Sequence, residues 1–387
     1  MKILHITNSY GGTDVYTNLY TAIDTISDDM QWVYVPLGPS SYNRYGNKMI
    51  DFNHNESKIT YSKLLKSYHS YFYGAKISKC VYDIENRYDL LSIDIIHAST
   101  LCFDGAIAFE ISKRYGIPYI VAVRNTDVNA YYKKLFWRRN YFSKILNHAS
   151  KIIFISPKYK ENFLKKHVPE KNCKAIEEKM TVIPNGVNRL FLENRTTIQK
   201  KISRQLNLLF VAAFYKEKGL IETIKAIESL RNKGYNLTFN AIGKGLPNRP
   251  HDKEYIQNVE KFIQGKDWVK LQPFMKPEEI IKEMRKSDVF VMVSSPETFG
   301  LVYVEALTQG LPIVYAKNQG FDGFYSEGIA GYSALAGNVE SIALAIEKII
   351  INYDVISTNI SALNLEKDFK WNNIAAKYID IYNKIVK

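Results

Sequence analysis

Short apolar stretches rich in β-branched residues alternate with amphipathic stretches along this chain, and the alternation occurs twice. In the first half, the predicted strands cover residues 2–7, 32–36, 93–97, 119–123 and 151–155. After Arg195, further strands are predicted at residues 207–212, 237–242, 269–271, 289–293 and 313–315. Strands of this kind that alternate with helices are typical of parallel, doubly wound sheets. We therefore predict an α/β protein with two Rossmann-like domains.

The polar stretch 188–204 is the predicted linker, and 387 residues are too many for one ordinary core. We predict an N-terminal domain at residues 1–187, a C-terminal domain at 188–368 and a closing segment at 369–387. In that segment, Trp371–Val386 has apolar residues at helical spacing, which predicts a helix packed on a neighbour. Ligands of such sheets bind outside the carboxyl ends of the strands, so the cleft between the two sheets is the predicted site.

The formal net charge of +13 indicates an anionic partner. Nucleic acid, a phosphorylated small molecule and an acidic membrane surface all meet that condition. The sequence has no zinc-finger spacing, RNA-recognition motif or helix-turn-helix signature, so we predict no nucleic acid partner.

No apolar run approaches the ~20 residues of a spanning helix, and the first residues are too short for a signal-peptide core. Three scattered cysteines without a Cys-x-x-Cys pair predict reduced thiols. We therefore expect a cytoplasmic protein.

The most specific motif lies at residues 294–307, where a predicted strand leads through a loop into a helix that begins near Phe299. Glu297 lies on the loop and Glu305 about two turns into the helix, so roughly 10 Å separate their backbones along the axis. Carboxylates do not bind phosphate directly, so both are predicted to accept hydrogen bonds from sugar and ribose hydroxyls. The amides at the start of the helix suit phosphate. A single Glu here would more often cap the helix or face solvent, but Phe299-Gly300-Leu301 and the pair Glu305-Ala306 argue against that interpretation.

This motif resembles the Ser-x-x-Glu-x-Phe-Gly-Leu-Val-x-x-Glu-Ala stretch of the retaining glycosyltransferases of family 4, which have the GT-B fold. Other matches follow the family's order at residues 182–187, 217–220, 243–245 and 369–371. Because the matches extend over nearly the whole chain, the resemblance implies two Rossmann-like domains that face each other across a cleft. It also implies a C-terminal helix that crosses back to the first domain.

The resemblance implies roles for individual residues. Glu297 would contact the transferred sugar and Lys218 the diphosphate, as catalytic residues, while Glu305 would bind the donor's ribose. The other implied donor-binding residues are Lys216, Gly11, Gly12, Gly243, Phe299, Gly300 and Leu301. Gly11 and Gly12 follow the first strand and would let backbone amides approach the donor phosphates or the acceptor, although a plain tight turn explains them equally well.

Two positions depart from the family pattern. Ala213 stands where the family usually has an Arg, and Lys216 either compensates or is solvated. Arg124 replaces the family's His after the fourth N-terminal strand. It cannot act as a base, but it is a candidate catalytic residue because it can bind a hydroxyl, a sugar carboxylate or phosphate. Asp127 keeps its family position, and we predict that it partners Arg124 and binds the acceptor. The departures leave the donor's identity and the activity itself open.

The predicted function is transfer of a hexosyl residue, with retention, from a nucleoside diphosphate sugar to a glycan or lipid-linked glycan in cell-surface polysaccharide biosynthesis. The donor is the substrate, and no further cofactor is predicted. The sequence has no Asp-x-Asp and no His at metal-ligand spacing, so we predict a metal-independent reaction. The alternatives are a non-catalytic nucleotide-sugar-binding subunit, or another GT-B activity such as a phosphorylase or an epimerase.

Residues 61–80 and 131–151 are basic and aromatic and contain no acidic residue. This composition is typical of interfacial segments on anionic lipid. We therefore predict peripheral contact with the inner face of the membrane. A solvated helix whose aromatic residues pack on the core is the alternative interpretation.

Overall fold

The computed structural model describes residues 1–201, 204–245 and 250–387. The strands are β1 (Lys2–Ile6), β2 (Met30–Pro36), β3 (Lys58–Ser62), β4 (Ile95–Ala98), β5 (Tyr119–Ala122), β6 (Lys151–Phe154), β7 (Met180–Val182), β8 (Leu206–Val211), β9 (Leu237–Ile242), β10 (Val269–Gln272), β11 (Val289–Val291), β12 (Ile313–Ala316) and β13 (Gly331–Ala334).

The helices are α1 (Asp14–Ile26), α2 (Tyr73–Arg87), α3 (Asp104–Tyr115), α4 (Tyr132–Lys134), α5 (Arg139–His148), α6 (Pro157–His167), α7 (Glu170–Lys179), α8 (Arg189–Glu193), α9 (Leu220–Asn232), α10 (Pro250–Phe262), α11 (Pro277–Lys286), α12 (Leu301–Thr308), α13 (Val339–Ile351), α14 (Tyr353–Ala362), α15 (Leu365–Phe369) and α16 (Trp371–Val386). Within the described residues, none of these helices is both long and apolar enough to cross a membrane.

The chain divides into two compact units. The first unit contains Met1–Ile155, Lys160–Gly186 and Trp371–Lys387, and the second contains Ser156–Tyr159 and Val187–Lys370. Helix α16 thus follows the second unit in sequence but belongs to the first.

The first unit is built on a parallel sheet with the strand order β3-β2-β1-β4-β5-β6-β7. Helix α16 packs against α1, and its buried residues Tyr378 and Tyr382 join the core of this unit. The Tyr382 hydroxyl lies 2.8 Å from Nδ1 of the buried His97 on β4. Desolvation lowers the pKa of His97 well below its ordinary value. His97 is therefore a packed residue of the core of this unit.

The second unit is built on a parallel sheet with the order β10-β9-β8-β11-β12-β13. In each unit the strand order reverses beside the first strand, between β1 and β4 and between β8 and β11, which is the usual position of a ligand crevice. The prediction of two parallel Rossmann-like sheets is confirmed. Strands β3 and β13 were not predicted, because each is short and only part of its surface is buried.

Candidate active site

An ion pair joins two of the predicted catalytic residues at the carboxyl edge of the second sheet. Lys218 lies in the turn between β8 and α9, and Glu297 lies in the loop between β11 and α12. The Lys218 Nζ atom is 2.8 Å from the Glu297 Oε2 atom, and 17% and 13% of the two side chains are exposed. Strands β8 and β11 are neighbours, so the fold brings together residues 79 positions apart in sequence.

The loop after β11 holds the Glu297 carboxylate in one orientation. The Ser294 hydroxyl donates to Oε2 at 3.0 Å, and the Thr298 N–H donates to Oε1 at 3.0 Å. The Glu297 N–H donates to the Gln319 side chain, which follows β12. Burial alone would raise the pKa of Glu297, but Lys218 and these hydrogen bonds outweigh it and lower the pKa. Burial likewise opposes the charge of Lys218, and Glu297 raises its pKa. Both groups are therefore charged.

Glu305 stands in the wall of a separate, largely apolar pocket of about 370 Å³. Its walls follow the ends of β8, β9 and β10 and include Ala212, Ala213, Gly243, Phe274, Met275 and Ile280. Desolvation raises the pKa of Glu305 to about 7. Within the described residues its carboxylate has no hydrogen-bond partner, so a ligand hydroxyl in this pocket would supply one.

Two details of the motif at residues 294–307 differ from the prediction. Helix α12 begins at Leu301 rather than near Phe299, so Glu305 lies about one turn into the helix instead of two. The Phe299 side chain is buried against Phe324 and Phe369, with ring centroids 5.4 and 6.0 Å away. The ring therefore packs inside the second unit, and donor binding by Phe299 stays a prediction.

Glycines are required at three points around the site. Gly219 has φ of 74° and precedes α9, where an added Cβ would lie 2.7 Å from the Val293 carbonyl. Gly300 has φ of 80° at the start of α12, where a Cβ would meet the Tyr303 ring at 2.4 Å. At Gly243 a Cβ would lie 1.9 Å from the Ala212 carbonyl. Neighbouring parts of the second unit approach the backbone closely at these positions because no side chain is present.

Two lysines lie near the pocket: Lys216, whose role the sequence left open, and Lys244, which was not predicted. Lys216 is exposed in the turn that ends at Lys218. Ala213, which replaces the family's Arg, lines the pocket itself and adds no charge there. Lys244 also lines the pocket, with its Nζ atom 5.1 Å from the centre of the Phe274 ring. Lys244 is thus a site residue that the sequence interpretation missed, although its position between Gly243 and Gly245 was a signal.

Arg124 follows β5 in the first unit and is half-buried. Its guanidinium contacts the Ser99 carbonyl and the Asn185 side chain, each at 3.4 Å, and lies 6.0 Å from the centre of the Tyr16 ring. Burial opposes its charge, but Tyr16, Tyr378 and Asp127 outweigh it and raise the pKa of Arg124. The side chain therefore carries a fixed positive charge at the carboxyl edge of the first sheet.

Asp127 occupies a position that does not support the predicted acceptor-binding role. Its side chain is fully buried and accepts hydrogen bonds from the N–H groups of Leu101, Cys102 and Arg124 at 2.7–3.1 Å. It contacts the backbone of Arg124 and fixes the loops after β4 and β5. A carboxylate saturated by buried amides is structural, because exposing it would leave those amides unpaired. Asp127 therefore positions Arg124.

Gly11 and Gly12 form a tight turn after β1, and Arg44 covers that turn. An added Cβ at Gly12 would lie 2.7 Å from a guanidinium nitrogen of Arg44, and one at Gly11 would lie 2.8 Å from the Arg44 Cβ. The two glycines therefore make room for Arg44, which the sequence interpretation missed. Donor binding by Gly11 and Gly12 stays a prediction.

Two family models match the chain. Residues 194–368 match the model described as Glycosyl transferases group 1, and residues 51–189 match the model described as Glycosyltransferase Family 4. The chain is therefore a glycosyltransferase with one domain of each of these two families. This confirms the predicted family and the prediction of an enzyme.

Relatives and solved structures agree with this assignment. The transferase is 27% identical over 260 residues to the alpha-monoglucosyldiacylglycerol synthase of Acholeplasma laidlawii, an alignment that spans 62% of this chain and 63% of that synthase. Its structure is similar to sucrose-phosphate synthase from Thermosynechococcus elongatus, with a TM-score of 0.74, 16% identity and coverage of 100% and 99% of the two chains. It is also similar to HepE of Anabaena in complex with UDP, with a TM-score of 0.73, 18% identity and coverage of 99% and 100%. At these identities, the two structures show that the transferase shares their GT-B fold.

The carboxyl edges of the transferase's sheets carry no evident metal site. Across residues 1–201, 204–245 and 250–387, no three His, Cys, Asp or Glu side chains come together as metal ligands. Cys80 and Cys102 are buried, Cys173 is half-buried, and all three are free thiols.

Proposed function

We propose that this transferase moves a hexosyl residue from a nucleoside diphosphate sugar to a glycan or lipid-linked glycan acceptor, with retention of configuration. The observation that carries the proposal is the unpartnered, half-buried Glu305 carboxylate in an apolar pocket of about 370 Å³. Ligand pockets are usually apolar with a few polar groups that fix orientation, and this pocket matches that description. The Lys218–Glu297 pair belongs to the same carboxyl edge of the sheet.

The donor fits this arrangement group by group. A planar base is compatible with the apolar walls around Phe274 and Met275, and the ribose hydroxyls would donate to Glu305. Lys218 and the backbone amides at the start of α12 would bind the diphosphate, because both provide positive potential. Lys244 would supply a further cation in place of the Arg that Ala213 replaces. HepE, which shares the fold, has been crystallised with UDP.

In the proposed reaction, the bond between the sugar's anomeric carbon and the diphosphate oxygen breaks, and the acceptor oxygen bonds to the same face of that carbon. The acceptor's proton passes to the leaving diphosphate. Lys218 would stabilise the negative charge that grows on that group, and Glu297 would orient the sugar hydroxyls. Arg124 would add a fixed positive charge rather than act as a base.

The acceptor is proposed from the surface of the first unit. Phe136 and Trp137 are 63% and 62% exposed, and Lys133 and Lys134 beside them are exposed as well. Tyr132 and Phe142 of the same segment are buried, so its aromatic residues serve both core and surface. Exposed aromatic rings beside lysines favour peripheral contact with anionic lipid. The A. laidlawii relative, named as a synthase of a glucosyldiacylglycerol, supports a membrane-borne acceptor.

Thermal melting against uridine, guanosine, adenosine, thymidine and cytidine diphosphate sugars tests the proposal. A donor at one hundred times its Kd should stabilise the protein by about 2.7 kcal/mol. Glu305→Ala should reduce that stabilisation without changing the melting of the unliganded protein's first unit. The released nucleoside diphosphate is then measured to detect hydrolysis or transfer of the stabilising donor. Absence of stabilisation by every donor would refute the proposal, and stabilisation without release would favour the non-catalytic alternative.

A further inference from the structure

A second pocket, of about 470 Å³, lies in the first unit and plays no part in the donor site described above. Its lining follows the carboxyl ends of β1, β2 and β3 and continues to the first turn of α2. The charged and hydrogen-bonding groups in that lining are Asn8, Ser9, Ser40, Ser41, Arg44, Lys66, Ser67, His69 and Lys76. Its volume lies within the range of about 300–1,000 Å³ that small-molecule sites occupy.

The pocket is positively charged and has no lining carboxylate. Arg44, Lys66 and Lys76 all line it, and in the described part of the chain none of them forms a salt bridge. The carboxyl group of Asp104 acts on the pKa of Lys76, but it is fully buried and accepts from the Asn8 N–H and the Thr100 hydroxyl. The three cations therefore have no ion-pair partner among the described residues.

Lys76 shows most clearly that the arrangement suits an anion. It is half-buried in the first turn of α2, and its Nζ atom lies 3.8 Å from the centre of the Phe103 ring. A cation in the first turn of a helix opposes the helix dipole, and that turn contains no acidic residue. Burial also lowers the pKa of Lys76, although Cys80 and Asp104 partly offset this. An anion in the pocket would offset both the unfavourable interaction of Lys76 with the helix dipole and the desolvation of its charge.

The other cations, Arg44 and Lys66, are positioned near Lys76 by contacts with the backbone. Arg44 rests on the side-chain-free turn at Gly11 and Gly12. His69 accepts the Lys66 N–H at its Nδ1 atom at 2.9 Å, which leaves its Nε2 as the N–H donor of the neutral ring. Arginine, lysine and N–H donors around one cavity are the chemistry that binds phosphate.

We propose that this pocket binds a phosphoryl group carried by the acceptor. As an acceptor subsite it rests on the proposed transfer reaction, whereas phosphate binding by the pocket does not. The volume leaves room for a phosphate together with a sugar ring or a glycerol group. Just beyond Lys66 and Ser67, the side chains of Tyr68, Tyr71 and Phe72 are 51%, 86% and 62% exposed. The phosphoryl group therefore comes either from a lipid headgroup or from a soluble sugar phosphate.

Binding to the full-length protein tests the proposal with three probes: inorganic phosphate, glucose 6-phosphate, and vesicles of phosphatidylglycerol in phosphatidylcholine. Arg44→Gln, Lys66→Gln and Lys76→Gln should each weaken binding of a phosphate probe about tenfold or more, as the loss of one charge-assisted hydrogen bond implies. Lys174→Gln, an exposed lysine on α7 outside the pocket, is the matched control and should leave binding unchanged. Lys66 is exposed, so its variant is informative even if the Arg44 or Lys76 variant unfolds.

The probes separate the two sources. Binding of glucose 6-phosphate that depends on the three cations indicates a soluble phosphorylated acceptor. Vesicle binding that depends on them, without binding of the sugar phosphate, indicates a lipid phosphate. Equal binding by the pocket variants and Lys174→Gln, or no binding of any probe, would overturn the proposal. Donor-induced stabilisation is measured in parallel. Its absence would refute the proposed reaction, whereas its presence without phosphate binding would refute only the proposal for this pocket.

Discussion

The Nζ atom of Lys218 lies 2.8 Å from Oε2 of Glu297, although the two residues are 79 positions apart in the chain. With no donor bound, each charge is balanced by the other. A diphosphate that takes Lys218 would release Glu297 to accept hydrogen bonds from the sugar. The same pair thus keeps two partly buried charges balanced in this structure, and we expect it to supply two contacts once a donor binds.

Lys218→Gln should lower kcat/KM by about 100-fold or more, because removal of one group that stabilises developing negative charge costs that much. Steady-state release of nucleoside diphosphate measures the effect. Lys282→Gln, an exposed lysine on α11 of the same unit, is the control and should keep the rate of the unmodified protein. Equal rates for the two variants would show that Lys218 does not contact the leaving group.

Glu305→Ala and Glu297→Gln should affect different kinetic constants. Glu305 lies in the apolar pocket, so its loss should weaken donor binding and raise KM. Glu297 is held by Ser294 and Thr298 and is proposed to contact the sugar, so its loss should mainly lower kcat. Calorimetric donor affinity and initial rates separate the two effects. Normal constants in both variants would refute the site.

The pH dependence of donor binding should follow Glu305. Burial raises its pKa to about 7, against about 4.3 in an unfolded chain. The folded protein therefore holds more protons between these values, and the stability of the unliganded protein falls as the pH rises through this window. Ribose hydroxyls donate to the ionised form, so donor affinity should fall when the pH drops below about 7.

Donor affinity and melting temperature measured from about pH 5 to about pH 8 check both trends, which have opposite signs. Glu305→Gln should remove each of them and should raise the melting temperature most at the alkaline end. The same pH dependence in that variant would assign the titration to another group.

Gly219→Ala and Gly234→Ala form a matched pair that isolates a steric effect. Both glycines have positive φ, 74° and 97°, so each substitution should cost about 1 kcal/mol of unfolding free energy. At Gly219 the new Cβ would also lie 2.7 Å from the Val293 carbonyl, whereas Gly234 has open space around it. Gly219→Ala should therefore cost about 1–3 kcal/mol more. Calorimetric unfolding of the second unit measures the difference. Equal losses of unfolding free energy in the two variants would show that the new Cβ does not clash with the Val293 carbonyl.

Reversing the charges of Lys133, Lys134, Arg138 and Arg139 to Glu should abolish flotation with liposomes that contain anionic lipid, because the attraction near such a surface is worth about 1 kcal/mol per basic residue. Phe136→Ser with Trp137→Ser should weaken flotation at every lipid charge, since both rings are exposed. Lys171→Glu with Lys174→Glu on α7 is the control. Unchanged flotation in the first variant would exclude this segment as the membrane contact.

The sequence by itself determined the two parallel sheets, the bounds of α16 and the glycosyltransferase family that the motif at residues 294–307 resembles. Its information was local: strand and helix periods, and residue types at short spacings such as Glu297 to Glu305. It also placed Lys218 beside a glycine that starts a helix. These features are readable because each depends on neighbours within a few residues.

Only the tertiary structure decided which of these residues meet and which are buried. Phe299 and Asp127 look like ligand contacts in sequence, but the ring packs against Phe324 and Phe369 and the carboxylate accepts from three backbone amides. Arg44 lies in no motif and Lys244 was not singled out within the match at residues 243–245, yet the strand order brings each to the wall of a pocket. The physical reason is that parallel sheets collect the ends of strands distant in sequence at one edge, so contacts there depend on strand order and burial rather than on spacing along the chain.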